Sequence, residues 1–186
     1  MKINDNFFMK LAIDEAWKYQ LLTYPNPAVG AVVVKNGEIL SVEAHKKAGE
    51  AHAEVNALKS AYLNKHPESR LKMIKTSQEI HTYLIKNSDS FFEDCTIYVT
   101  LEPCNHIGKT PSCAQLLKSI NIGKVVVGIY DPNKVASGGI ELLKTSDINF
   151  QVNVMNKECD ELLFPFIKWQ QGTFIFYKMA QTLNGT

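Results

Sequence analysis

Three short apolar runs rich in β-branched residues most constrain what this chain can fold into: residues 28–34 (AVGAVVV), 95–101 (CTIYVTL) and 124–130 (KVVVGIY). Each is strand length, and each reads as a buried strand. Asn36-Gly37 is a hairpin turn, so residues 38–44 return as the partner of the first run. Helical spacing fills the intervals. Asn4 or Asp5 caps a first helix that carries Phe8, Leu11, Ala12, Ala16 and Tyr19 on one face, and it stops at Thr23-Tyr24-Pro25-Asn26-Pro27. Further helices are expected at 51–63, 112–120, 138–144 and 156–170, and a strand at 149–154. Alternating strands and helices give an α/β class, a three-layer α/β/α sandwich; the hairpin makes its sheet mixed, with about five strands. Residues 64–94 are polar and weakly patterned, with a helix near 77–86, and read as an insertion that leaves the core.

Length and charge narrow the function. A chain of 186 residues suits one domain, and a net charge of +1 lacks the basic excess of a protein that tracks a nucleic-acid backbone. The first residues carry no signal-peptide pattern and no apolar run reaches the roughly 18 residues of a membrane span. Four cysteines in this length do not form a disulfide framework, so a cytoplasmic protein with reduced thiols is expected.

The chemistry concentrates in His52-Ala53-Glu54, Glu102-Pro103-Cys104 and Cys113. One imidazole and two thiolates suit zinc and leave a fourth tetrahedral position open, where a structural site is closed by four protein ligands. His52 and Cys113 fall at helix starts, where backbone N–H groups favour anionic ligands. Glu54 lies too near His52 in sequence to be a further ligand, but beside the water such a metal holds. Cys95 and Cys159 have no partner pattern and read as core residues.

His-x-Glu followed by Pro-Cys resembles the signature of zinc nucleobase deaminases. The segment CNHIGKTPSC (104–113) is more specific and resembles the diaminohydroxyphosphoribosylaminopyrimidine deaminase family, as do Pro25-Asn26-Pro27, His45, Ala51-His52-Ala53-Glu54 and Asp131-Pro132-Asn133. The resemblance implies a cytidine deaminase-like fold and one Zn2+ per chain on His52, Cys104 and Cys113. It implies Glu54 as catalytic proton shuttle, and loss of the 2-amino group of 2,5-diamino-6-ribosylamino-4(3H)-pyrimidinone 5′-phosphate in riboflavin biosynthesis. Asn26, His45, His106, Lys109, Thr110, Asp131 and Asn133 would contact that substrate, with Lys109 and Thr110 toward its phosphate. Each also has a plainer reading: Asn26 and Asp131-Pro132-Asn133 are ordinary turn chemistry, and His45 suits a surface. Ser112 stands where the family has proline and suits a helix N-cap.

Residues 1–170 would form the deaminase domain, with 64–94 inserted. Residues 171–186 resemble the first strand of a reductase domain, so NADPH belongs to that further domain and no reductase activity is expected here. A small phosphorylated substrate, no nucleic acid, no membrane and a homo-oligomer complete the expectation. Two other readings stay open: a nucleic-acid-editing deaminase, and a non-catalytic zinc-stabilised module with a closed metal.

Overall fold

The structure, a computed structural model, describes residues 4–106, 110–133, 137–146, 148–177, 179, 180 and 182. Among these, α1 (Asp5–Trp17) leads to β1 (Gly30–Lys35), β2 (Glu38–Ala44), α2 (Ala53–Lys65) and α3 (Ser77–Asn87). Then follow β3 (Cys95–Leu101), α4 (Cys113–Ser119), β4 (Lys124–Ile129), α5 (Gly139–Lys144), β5 (Asn149–Gln151) and α6 (Asn156–Gln171). A 3-10 turn at Arg70–Met73 lies between α2 and α3. The first helix is capped by Asn4, whose side chain accepts from the Phe7 N–H, and the second half of the hairpin pairs as Asn36-Gly37 implies.

The five strands form one mixed sheet in the order β2-β1-β3-β4-β5. β1 runs antiparallel to both β2 and β3, while β3, β4 and β5 run parallel. This topology decides where a site can form. Gly30 pairs with Ala44, Ala31 with Val99, and Leu101 with Ile129. The entry to β1 and the exits of β2, β3 and β4 therefore meet at one edge of the sheet, where chain ends leave room for side chains.

Alternation along the strands separates two cores. Ala31, Val33, Ile97, Val99, Val125 and Val127 face α2, α4 and α5. Val32, Val34, Tyr98 and Val126 face the other way, against Phe8, Met9, Ala12 and Ile13 of α1 and Cys159 of α6. The expected three-layer sandwich is thus the observed one, with α1 and α6 on one side and the remaining helices on the other. All four cysteines are free and buried. Burial, the largest cause for each, pushes Cys95 up to about 11 and Cys159 to about 12, which marks both as inert core thiols. No helix among the described residues is long and apolar enough to cross a membrane.

The segment 64–94 departs from the expectation of a stretch that leaves the core. Leu71, Ile80, Leu84 and Phe92 are fully buried and belong to the same cluster as Cys104 and Cys113. The reason is spacing: Ser77, Ile80, His81 and Leu84 stand at i, i+3, i+4 and i+7, one face of α3, and polar residues on the other faces dilute that signal. His81 enters the core as a neutral ring, since burial pushes its pKa down to about 4. Leu84→Ala should therefore cost about 3 kcal/mol of stability, as for a core helix; a urea midpoint unchanged from the parent protein would return α3 to the periphery.

Candidate active site

α2 and α4 each present their first turn to the shared sheet edge. His52 is the N-cap residue of α2 and Cys113 the first residue of α4. Cys104 lies just past β3. Their donor atoms all fall within 4.8 Å of one another. His52 Nδ1 is 3.6 Å from Cys104 Sγ and 3.5 Å from Cys113 Sγ. A tetrahedral zinc with bonds of about 2.05 Å to nitrogen and about 2.3 Å to sulfur holds such atoms about 3.5–3.6 Å apart. The three donors therefore fit zinc in type and in spacing.

The opposite ring nitrogen, His52 Nε2, is 3.2 Å from Thr110 Oγ1. A second partner of this kind fixes the orientation of a ligating imidazole. Thr110, expected toward a phosphate, has its hydroxyl within hydrogen-bond distance of His52 Nε2. Ser112 does cap α4: its Oγ accepts from the Gln115 N–H at 3.1 Å and donates to the Cys104 carbonyl at 2.9 Å.

Glu54 is buried in the first turn of α2. Burial, opposed by the neighbouring His52, lifts its pKa from the usual carboxylate range to about 7. Such a group both accepts and releases a proton near neutrality. The hydrogen bond between the two cysteines divides them. It draws the Cys104 thiol down to about 4 against burial, with help from His52, and together with burial pushes Cys113 well above its ordinary value.

A cavity of about 380 Å³ opens above Glu54, His52 and Cys104. Asn26, His45, His106, Thr110, Asp131 and Asn133 all line it, so six of the seven residues expected to meet a substrate converge. The seventh, Lys109, lies outside the described residues. His45 is buried, not on the surface. Its Nδ1 donates to the Ala51 carbonyl at 3.1 Å, so Nε2 is the acceptor for the Asn26 amide at 3.0 Å. Burial lowers its pKa and keeps the ring in this neutral form. Asn26 is held again through its backbone, donating to Thr23 O at 2.8 Å and accepting from Thr23 Oγ1 at 2.9 Å. These bonds leave Asn26 Oδ1 as the acceptor for a donor on a ligand.

Two contributions were not assigned from the residue pattern. Glu102, buried, accepts from the N–H groups of Asp131 at 3.1 Å, Gly138 at 3.0 Å and Ile140 at 3.0 Å. It fastens the turn after β4 and the start of α5 to the exit of β3, two residues before Cys104. Gly138, at φ +99, and Gly139, where a Cβ would sit 1.8 Å from the Pro103 carbonyl, permit that approach. The acid stood in plain view within Glu102-Pro103-Cys104, but only the fold shows its three donors. Phe166 and Gln170 of α6 also line the cavity; no local motif marks them.

The zinc-binding region of cytidine and deoxycytidylate deaminases matches residues 2–129 of the chain. Diaminohydroxyphosphoribosylamino-pyrimidine deaminase of Buchnera aphidicola subsp. Acyrthosiphon pisum is 36% identical over 173 residues, covering 92% of this chain and 99% of the relative. The chain belongs to this deaminase family. The deaminase is also 39% identical over 184 residues to riboflavin biosynthesis protein RibD of Aquifex aeolicus, which covers 97% of the chain and 44% of the relative. It spans about two fifths of the length of such longer relatives. Among solved structures, Acinetobacter baumannii RibD superposes with a TM-score of 0.70 at 33% identity, over 88% of this chain and 39% of that one. A Thermotoga maritima deaminase/reductase gives 0.70 at 35%, over 89% and 40%.

Two outcomes are expected of the deaminase. Cys113→Ala should lose zinc by atomic absorption and melt at lower temperature, because metal binding adds to folding free energy; full metal occupancy would place the third donor elsewhere. Glu102→Ala strands three amides and should cost about 3 kcal/mol in urea denaturation. A loss under about 0.5 kcal/mol would show that the turn holds without the carboxylate.

Proposed function

We propose that this deaminase hydrolyses 2,5-diamino-6-ribosylamino-4(3H)-pyrimidinone 5′-phosphate at the carbon bearing the 2-amino group. The products are ammonia and the 5-amino-6-ribosylamino-pyrimidinedione 5′-phosphate, an early step of riboflavin biosynthesis. The observation that carries the reading is the buried Glu54 beside the His52, Cys104 and Cys113 donors at the floor of a cavity lined by fixed polar groups. The family kinship and the eight residues between the two cysteines favour this heterocycle over a polynucleotide.

His52, Cys104 and Cys113 would hold the metal in this reading, with Thr110 orienting the imidazole. Zinc, when bound, supplies a Lewis acid that acidifies water toward a pKa of about 7. The Glu54 carboxylate takes a proton from the attacking water as the carbon–oxygen bond forms. It then delivers that proton to the amino nitrogen as the carbon–nitrogen bond breaks, so ammonia leaves neutral, and the remaining hydroxyl proton passes to the adjacent ring nitrogen as the ring carbon becomes a carbonyl. Asn26 Oδ1, fixed through His45, accepts from a ring or amino N–H and sets the face of the base toward Glu54. His106, Asp131 and Asn133 supply further polar contacts, and Lys109 would meet the phosphate.

Residues 1–170 act as the deaminase unit in this account. Residues 171–186 open a reductase domain in this reading, NADPH belongs to that domain, and residues 1–170 carry no reductase activity. A cytoplasmic setting suits the four free thiols. Assembly as a homo-oligomer belongs to the same proposal and is checked by light scattering.

Ammonia release from the phosphorylated pyrimidinone tests the assignment, with cytidine as control. Glu54→Gln should keep one zinc per chain and lose about 10³-fold in turnover, because the proton carrier is gone and the donors remain. Turnover of the variant at the parent rate would remove Glu54 from the chemistry. Release from cytidine but not from the pyrimidinone would reassign the substrate.

A further inference from the structure

α6 belongs to the layer opposite α2: it packs against α1 and β4, while Glu54 rides on α2. It nevertheless reaches the cavity with Phe166 and Gln170, one turn apart and on one face. The same stripe begins one turn earlier at Leu162, which is buried against Ala16 and Ala28. It thus descends from core to half-buried ring to exposed carboxamide at the cavity mouth.

The helix needs outside support to hold this course. Pro165 lies inside it, and an interior proline costs about 3 kcal/mol of helix stability. The support comes from the loop that also carries Asn26. Gln20 Nε2 donates to the Leu162 carbonyl at 2.6 Å, and Tyr24 stacks on Trp169 with ring centroids 3.3 Å apart and planes 8° from parallel. Phe166 and Gln170 line the cavity together with Pro25, Asn26 and Pro27 of that loop.

We propose that Phe166 and Gln170 determine specificity for the phosphoribosyl part of the ligand, a role that rests on the substrate assignment above. The reacting carbon must lie over the floor formed by α2 and the turn after β3. The far end of the same ligand then meets the wall supplied by the opposite layer. The Phe166 ring covers the apolar face of the pentose, and the Gln170 carboxamide donates to a ribosyl or phosphate oxygen. Neither residue takes part in proton transfer.

The test compares two substrates on the zinc-loaded chain: the ribosylamino phosphate, and 2,5,6-triamino-4-pyrimidinone, which lacks the phosphoribosyl group. On the first, Phe166→Ala and Gln170→Ala should each lower kcat/KM about tenfold through KM, with kcat changed less than about twofold. The dissociation constant from calorimetry in an E54Q background should rise by the same factor of about ten. On the second, neither substitution should change kcat/KM by more than about twofold. Phe166→Leu should restore most of the loss, and zinc content should match the parent in every variant. Should Phe166→Ala fail to fold, the exposed Gln170→Ala and the conservative Phe166→Leu carry the comparison. Unchanged KM and dissociation constants, or equal losses on both substrates, would overturn the inference while leaving the substrate assignment intact. If the parent chain neither binds nor turns over either pyrimidine, the substrate assignment falls and the inference with it.

Discussion

The carboxylate of Glu102 is the contact on which the site depends. Parallel strands β3 and β4 both end at the same edge, but a sheet alone does not say where the chain goes after each strand. Glu102 settles that by gathering three backbone N–H groups from residues 131, 138 and 140. The turn after β4 and the start of α5 are pulled against Pro103, so closely that residue 139 tolerates no Cβ. Cys104 follows directly, and its position is inherited from that packing. One buried acid thus converts a common feature of α/β sheets, free space at strand ends, into a defined cavity with a ligand at its floor.

Electrostatics show why that floor calls for a cation. Glu54, Cys104 and Cys113 are buried together, with His52 as their near neighbour. Three anions so placed repel one another and lose hydration, which is costly without compensation. Burial lifts Glu54 to about 7, and the bond between the two cysteines, with burial, pushes Cys113 well above the ordinary thiol value while it draws Cys104 down to about 4. A dication on the sulfurs and His52 would relieve the same stress and let Cys113 ionise. The donor set and the proton distribution point to one requirement.

Legibility from the sequence followed the range of each interaction. The Val-rich strands, the Asn36-Gly37 hairpin and the Asn4 and Ser112 caps are local signals, and the structure has them in place. His52, Cys104 and Cys113 stand out as a candidate donor set because metal chemistry restricts residue type and helix starts restrict position, and the fold brings the three together. What escaped was long range. The contact of the Thr110 hydroxyl with His52 Nε2 could not be read from the residue pattern, because only the fold brings the two together. Residues 64–94 looked peripheral because α3 buries one narrow face amid polar neighbours. Phe166 reaches the cavity on a helix held by the Tyr24–Trp169 stack and the Gln20–Leu162 bond, contacts between residues far apart in the chain.

The wide spacing between Cys104 and Cys113 follows from these same contacts. A loop of eight residues between two metal donors would ordinarily loosen them, since longer loops hold their ends less closely. Here the end of the loop folds back on its beginning. Ser112 Oγ and the Ala114 N–H both reach the Cys104 carbonyl, and the Cys113 N–H lies 3.5 Å from Cys104 Sγ. Thr110 adds a bond to the third donor. The spacing of the donors is therefore decoupled from loop length, and His106 and Thr110 line the cavity. A two-residue gap fixes its cysteines by brevity. This chain holds them together by hydrogen bonds from the end of the loop to its beginning.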